Sequence, residues 1–220
     1  NMPAESFFVN EKQLSLLHEF LNVNPIYSNH IVEKISGVDY TIFEGDLNNY
    51  WIDSIKHDAS YAPFYPTWVL SAWGLALAAK NLGFEQIIDI GSGDGRIAYC
   101  GKTSGLESIS IEIDENLVNL QENISKKTGV EFNPKCADAT IFNFEDIMPK
   151  KSIFVIGGVP EIGEVLAESV IKNVLEVLEM SDVSFVLTGS HSHREFSRDR
   201  TDSGWGTTIK KFELEVMSTI

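Results

Sequence analysis

The sequence predicts an α/β fold, a doubly wound and mostly parallel sheet with a helical N-terminal extension. Three observations carry that expectation. Gln86–Ile90 reads as a buried strand that runs through Gly91-Ser92-Gly93-Asp94-Gly95 into a helix starting near Arg96. Such a strand, glycine turn and helix make a nucleotide-type site at the carboxyl end of a parallel strand. From there to residue 187, β-branched runs alternate with segments of helical period, the pattern of repeated βαβ crossovers. Ser152–Ile156 is continuously apolar, as a strand buried on both faces must be.

Composition bounds the class. With 220 residues, 43% hydrophobic and 22% charged, the chain can bury one α/β core and a modest accessory segment. Its net charge of −15 repels phosphate backbones, so nucleic acid is disfavoured as a partner and a basic protein is favoured. A well-solvated surface with no such partner would have the same composition. Cys100 and Cys136 show no CxxC or CxxxH spacing and are expected to be buried free thiols in a reducing cytosol. Residues Asn1–Ser6 lack a basic stretch leading into an apolar run, and the apolar segment Trp68–Ala79 is too short to cross a bilayer. A cytoplasmic location is therefore expected.

In chain order, Glu11–Leu21 has a helical apolar period behind Asn10 as N-cap. Asn29–Ile35 is expected to be a second short helix stopped by Gly37, and Val38–Phe43 a short strand. Residues 1–60 thus form the extension and 61–220 the main domain, with Asn48–Ile55 ambiguous. Thr67 is expected to cap a helix, Trp68–Lys80, that is apolar nearly all round and so buried. Ser108–Ile113 is the next strand, Glu115–Lys127 an amphipathic helix ended by Gly129, and Val130–Cys136 a third strand. Pro160 opens a helix to about Glu179, and Val183–Leu187 is a fifth strand. Thr207–Ile220 alternates well enough for one last strand.

The glycine spacing excludes two ligand classes. In the dinucleotide pattern GxGxxG the third glycine would fall at Arg96, and no GK[ST] follows for a phosphate loop. The run D-I-G-S-G-D-G-R resembles motif I of class I S-adenosylmethionine-dependent methyltransferases. Ahead of it, Tyr61-Ala62-Pro63-Phe64-Tyr65-Pro66-Thr67 resembles the Y-x-P-[FY]-x-P-[ST] loop of Dot1-like protein-lysine methyltransferases, archaeal and mitochondrial. Ser190-His191 with Trp205 downstream loosely matches the S-H…G-W pattern of the same proteins, with a longer insertion.

The resemblance covers residues 61–190 and implies a Rossmann-like methyltransferase domain. It implies S-adenosyl-L-methionine as cofactor, S-adenosyl-L-homocysteine as product and a methyl acceptor as partner. The residues it assigns to the cofactor are Tyr65, Pro66, Thr67, Asp89, Ile90, Gly91, Ser92, Gly93, Asp94, Gly95, Glu112, Ile113, Asp138, Ala139 and Gly157. Glu112, at the tip of the second strand, is placed to accept two hydrogen bonds from ribose hydroxyls. Asp138 is either an adenine ligand or the cap of the following turn. The pair Gly157-Gly158 stands where methyltransferases acting on adenine or glutamine amide carry N-P-P-Y or D-P-P-Y, so those acceptors are disfavoured. I-G-G here also resembles corrinoid-precursor methyltransferases.

His191 and Tyr65 are the candidates for the chemical step, His191 as proton acceptor or as an ordinary loop histidine. His191-Ser192-His193 has no carboxylate or cysteine spacing to complete a metal set. Three readings stand: a protein-lysine methyltransferase, a small-molecule methyltransferase, and a non-catalytic module that binds the cofactor.

Overall fold

The computed structural model describes residues 10–46, 64, 66–147, 150–157, 160–188 and 205–215. Helix α1, Glu11–Val23, begins in a capping box: the Gln13 N–H donates to the Asn10 side chain at 2.9 Å, and the Asn10 N–H donates to that of Gln13 at 3.2 Å. Strands β1 (Tyr27–Ile35) and β2 (Val38–Gly45) then pair antiparallel, with Ile35 opposite Val38. This corrects the expected second helix. Ser36 and Gly37 both take positive φ, 51° and 84°, as a two-residue hairpin turn requires. The β-branched Ile31, Val32 and Ile35 favour the extended state.

Helix α2 spans Val69–Asn81. Its N-cap is Trp68, with no side-chain cap, rather than Thr67. It buries Ala72, Trp73, Ala76 and Ala79 but leaves Leu70 exposed, so the expectation of all-round burial fails on one face. Five parallel strands follow: β3 (Gln86–Ile90), β4 (Glu107–Glu112), β5 (Pro134–Cys136), β6 (Ser152–Ile156) and β7 (Val183–Leu187). Between them lie α3 (Arg96–Thr103), α4 (Glu115–Thr128) and α5 (Pro160–Val177), and α6 (Gly206–Lys211) comes last. The sheet order is β5-β4-β3-β6-β7, so the winding direction reverses between β3 and β6 and opens a crevice at their carboxyl ends.

Helices cover both faces. Ile88 and Ile90 of β3 and Phe154 and Ile156 of β6 pack with Ala167, Val170, Ile171 and Val174 of α5. Their neighbours Ile87, Ile153 and Val155 point the other way, toward Trp73, Ala76, Ile97 and Cys100. Strand alternation with both sides buried accounts for the continuous apolar runs. Strand β4 differs, because Ser108, Ser110 and Glu112 form its second face. A third cluster joins α1 to α3 and α4 through Phe20, Ile26, Phe64, Tyr99, Leu120 and Phe132, and the Tyr99 hydroxyl donates to the Leu16 carbonyl at 2.7 Å.

Two further corrections concern the C-terminal half. The third strand is confined to Pro134–Cys136, and Cys136 is exposed while Cys100 is buried. The expected last strand is helical over Gly206–Lys211. Trp205 and Thr208 are buried, and Ile209 and Phe212 pack on the core beside Trp205; that is a helical spacing, and tertiary burial overrides the β propensity of the two threonines. Among the described residues no helix is long and apolar enough to cross a membrane.

Candidate functional site

The site is built on the turn between β3 and α3. Gly91, Gly93 and Gly95 all have positive φ, 64°, 57° and 76°, a conformation that costs other residues energy. Two of them also have no room for a side chain. A Cβ on Gly93 would lie 2.2 Å from the Phe64 ring, and one on Gly95 would lie 2.6 Å from Phe132. The turn is held by Gly91 and Ser92 N–H groups donating to the Ile111 carbonyl at 2.9 and 3.2 Å, and by Gly95 N–H donating to Ser92 at 2.8 Å.

Glu112 ends β4 beside this turn. Its Oε2 accepts from Gly93 N–H at 2.8 Å, and its Oε1 accepts from Ile113 and Asp114 N–H at 2.9 and 3.0 Å. Burial raises its pKa above the ordinary glutamate value, against the pull of these three backbone donors. Asp89, buried at the end of β3, accepts from Ala98 N–H at 3.4 Å. Its pKa is raised well above the ordinary aspartate value, first by burial and then by the charges of Asp94 and Glu112. Asp94 differs, since its carboxylate is bound by Arg96, whose Nε donates to Oδ1 at 2.8 Å and whose Nη2 donates to Oδ2.

The structure brings Asp89, Ile90, the glycine turn, Glu112 and Ile113 together at the ends of adjacent strands. Asp138 and Ala139 follow β5 at the edge beyond Glu112, and Gly157 follows β6 across the crevice. Asp138 Oδ1 accepts from both the N–H and the hydroxyl of Thr140, at 2.8 and 2.6 Å, which is the turn-capping geometry. Thr67 contributes its carbonyl, which accepts from Arg96 Nη1. Tyr65 and His191 lie outside the described residues, as does Gly158.

Two buried residues escaped the sequence reading. Gln121, on α4, donates from Nε2 to Ser92 Oγ at 2.9 Å and to the Gly93 carbonyl at 2.7 Å, and accepts from Ser110 Oγ at 2.6 Å. It was legible as a polar residue on the apolar stripe Leu117, Leu120 and Ile124. Asn24, at the end of α1, donates from Nδ2 to Asp94 Oδ2 at 2.9 Å, across a separation that no local pattern reveals.

A parallel sheet in this order, with a glycine turn at the reversal point and an acidic residue on the neighbouring strand tip, defines a Rossmann-like domain with the class I methyltransferase fold. The tRNA (uracil-54, C5)-methyltransferase of Pyrococcus abyssi, solved with S-adenosyl-L-homocysteine, aligns over 86% of this chain and 38% of its own, with TM-score 0.51 and 14% identity. At that identity the likeness establishes the fold. An RNA methyltransferase from Salinibacter ruber, also solved with S-adenosyl-L-homocysteine, aligns over 56% of this chain and 79% of its own at 22% identity, with a TM-score of 0.41.

Among curated proteins, protein-L-isoaspartate O-methyltransferase 2 of Marinobacter nauticus is 32% identical over 98 residues, 43% of this chain. The match spans 44% of that relative, less than half its length. No family model matches the chain.

Proposed function

We propose that this chain is an S-adenosylmethionine-dependent methyltransferase whose acceptor is the amine of a protein lysine. The observation that carries the first half is the glycine turn with three positive-φ glycines joined to Glu112 at the reversal point of the sheet. The residues there fit that cofactor. Asp94 is paired with Arg96, whereas among the described residues no cationic side chain is hydrogen-bonded to Asp89 or Glu112. Two such carboxylates suit a ligand bearing sulfonium and ammonium groups and oppose a pyrophosphate. The 98-residue likeness to an O-methyltransferase supports the methyl-transfer half of this reading and does not bear on the amine acceptor.

When bound, the cofactor supplies a methyl group on a sulfonium that leaves as a neutral thioether. The chain's own residues bind and orient. A carboxylate has about four acceptor sites, and Glu112 already uses three on backbone amides. It can take one ribose hydroxyl as it stands, and a second only by releasing an amide such as that of Gly93. Ile113, partly exposed beside it, offers an apolar wall for a base, and Asp138 and Ala139 stand at its edge. Residues 61–220 form the cofactor-binding domain in this reading and residues 1–60 the extension, whose helix α1 packs on it through Phe20. A lysine amine has an ordinary pKa of about 10.4 and must lose a proton before attack; His191 is the residue assigned to accept it.

The lysine assignment rests on the Dot1-like resemblance of residues 61–67 and on the acidic net charge. Calorimetry should show S-adenosyl-L-methionine and S-adenosyl-L-homocysteine binding more tightly than NAD; the reverse order would overturn the cofactor. Methyl-labelled cofactor incubated with host-cell extract should then label macromolecules, and acid hydrolysis should release methyl-lysine. Label in metabolites alone would replace the lysine by a small-molecule acceptor, and no transfer despite binding would leave a cofactor-binding module.

A further inference from the structure

The residue that interrupts the dinucleotide pattern has a role of its own. We infer that Arg96 is a positioning residue for the cofactor, joining two walls of the binding crevice, and that Asn24 completes its setting, so that the N-terminal helix contributes to cofactor affinity. This rests on the cofactor reading above.

The geometry is a fork. The Arg96 guanidinium donates through Nε and Nη2 to the two oxygens of Asp94, inside the glycine turn, and through Nη1 to the Thr67 carbonyl at the entrance to α2. Phe20 and Tyr27 flank it, with ring centroids 5.9 and 5.8 Å from its central carbon. Asp94 is fully buried and takes a further bond from Asn24 Nδ2. The Asn24 amide is itself oriented, because its Oδ1 accepts from Ile26 N–H at 3.1 Å. One buried cluster therefore links the end of α1, the base of β1, the entrance to α2 and the glycine turn, across sequence separations of 29 and 70 residues.

Stability alone is a poor reason for such a pair, since taking both charges out of water offsets most of their attraction. What the pair fixes is conformation. Asp94 stands between Gly93 and Gly95, both at positive φ, and anchoring its carboxylate limits the direction in which Gly93 N–H points. A turn left to sample other geometries would have to be ordered at each binding event, and that cost would be subtracted from affinity. The same guanidinium holds the Pro66–Thr67 segment in register with the turn. Lysine could reach one of these partners but lacks the planar fork that serves both.

The test titrates S-adenosyl-L-homocysteine by calorimetry into Asn24→Ala, Arg96→Lys and Arg96→Met, each checked as folded by its thermal transition. Asn24→Ala should weaken binding about fivefold to tenfold and Arg96→Met at least about thirtyfold, with Arg96→Lys between them. Folded variants with lowered transitions but wild-type affinity would overturn the proposal, because the cluster would then be structural only. If Arg96→Met does not fold, Asn24→Ala decides, since its only side-chain partner in the turn is Asp94. Wild-type protein that fails to bind S-adenosyl-L-homocysteine would overturn the cofactor reading and this proposal with it. Affinity lost only in the variants would be the supporting result.

Discussion

Gly93→Ala tests whether the glycine turn is as tightly enclosed as its surroundings indicate. Two separate costs apply. Alanine at φ 57° carries a left-handed penalty of about 1–2 kcal/mol. Its Cβ would also lie 2.2 and 2.4 Å from two carbons of the Phe64 ring, so the ring must leave. Phe64 is buried among Phe20, Tyr99 and Phe132, and losing the burial of a phenylalanine costs about 1.5–3 kcal/mol. Together these give about 2.5–5 kcal/mol. Gly129 is the control, with φ 68° and nothing within 4 Å of a built Cβ, so Gly129→Ala should cost only the first part. Thermal unfolding should place Gly93→Ala roughly 3–12 °C below Gly129→Ala for a chain of this size. In a Phe64→Ala background the penalty at Gly93 should shrink toward that at Gly129. Equal transitions for the two glycine variants, or a penalty at Gly93 that ignores Phe64, would refute the reasoning.

Glu112→Gln should lower stability by about 1.5–3 kcal/mol and weaken S-adenosyl-L-homocysteine binding, because one end of the amide presents N–H groups to backbone donors; unchanged urea unfolding would contradict the three-amide geometry. Asp89→Asn should raise the transition temperature at neutral pH. The sign follows from its raised folded pKa: the folded state holds the proton more tightly, so this group favours folding in acid and loses that contribution as pH climbs from the ordinary aspartate range through the raised value. The gain should vanish in acid, and a variant destabilised equally at both pH values would refute it. Gln121→Leu leaves Ser92 Oγ, the Gly93 carbonyl and Ser110 Oγ without their partner, a loss of about 1–3 kcal/mol for each group left unsatisfied; denaturant titration showing no loss would remove Gln121 as a support of the turn.

What the sequence disclosed depended on the range of the interactions involved. Ser152–Ile156 and Val183–Leu187 are strands with the expected limits, because a strand that is buried throughout, as the first is, or half-buried on a covered sheet, as the second is, leaves a local apolar run. Asn-His-Ile-Val-Glu-Lys-Ile over Asn29–Ile35 fits two periods, and Gly37 fits both a helix stop and, with Ser36, the hairpin turn that the chain adopts. The glycine turn and Glu112 were legible through local spacing. Gln121 is visible only as a polar residue on an apolar stripe, with its partners 11, 28 and 29 residues away, and Asn24 has its partner 70 residues away; only the folded chain brings them together. In the sequence Arg96 shows only as the residue that excludes a dinucleotide pattern; its bonds to Asp94 and to the Thr67 carbonyl exist only in the folded chain.

The two cysteines give this molecule a built-in gauge. Cys136 is exposed at the end of β5, in register with Glu112, and its thiol pKa is raised by partial burial and by Glu115, Glu112 and Asp114. Cys100 is sealed in α3 between sheet and α2, its thiol pushed up by burial. Thiolate is the reactive form, so a maleimide dye in mildly alkaline buffer should couple to one site in the native molecule and to a second only when the α2 layer opens. The first site places a fluorophore beside the strand tip that carries Glu112, where occupancy of the crevice would change its emission. The second turns the rate of labelling into a clock for how often that layer parts from the sheet.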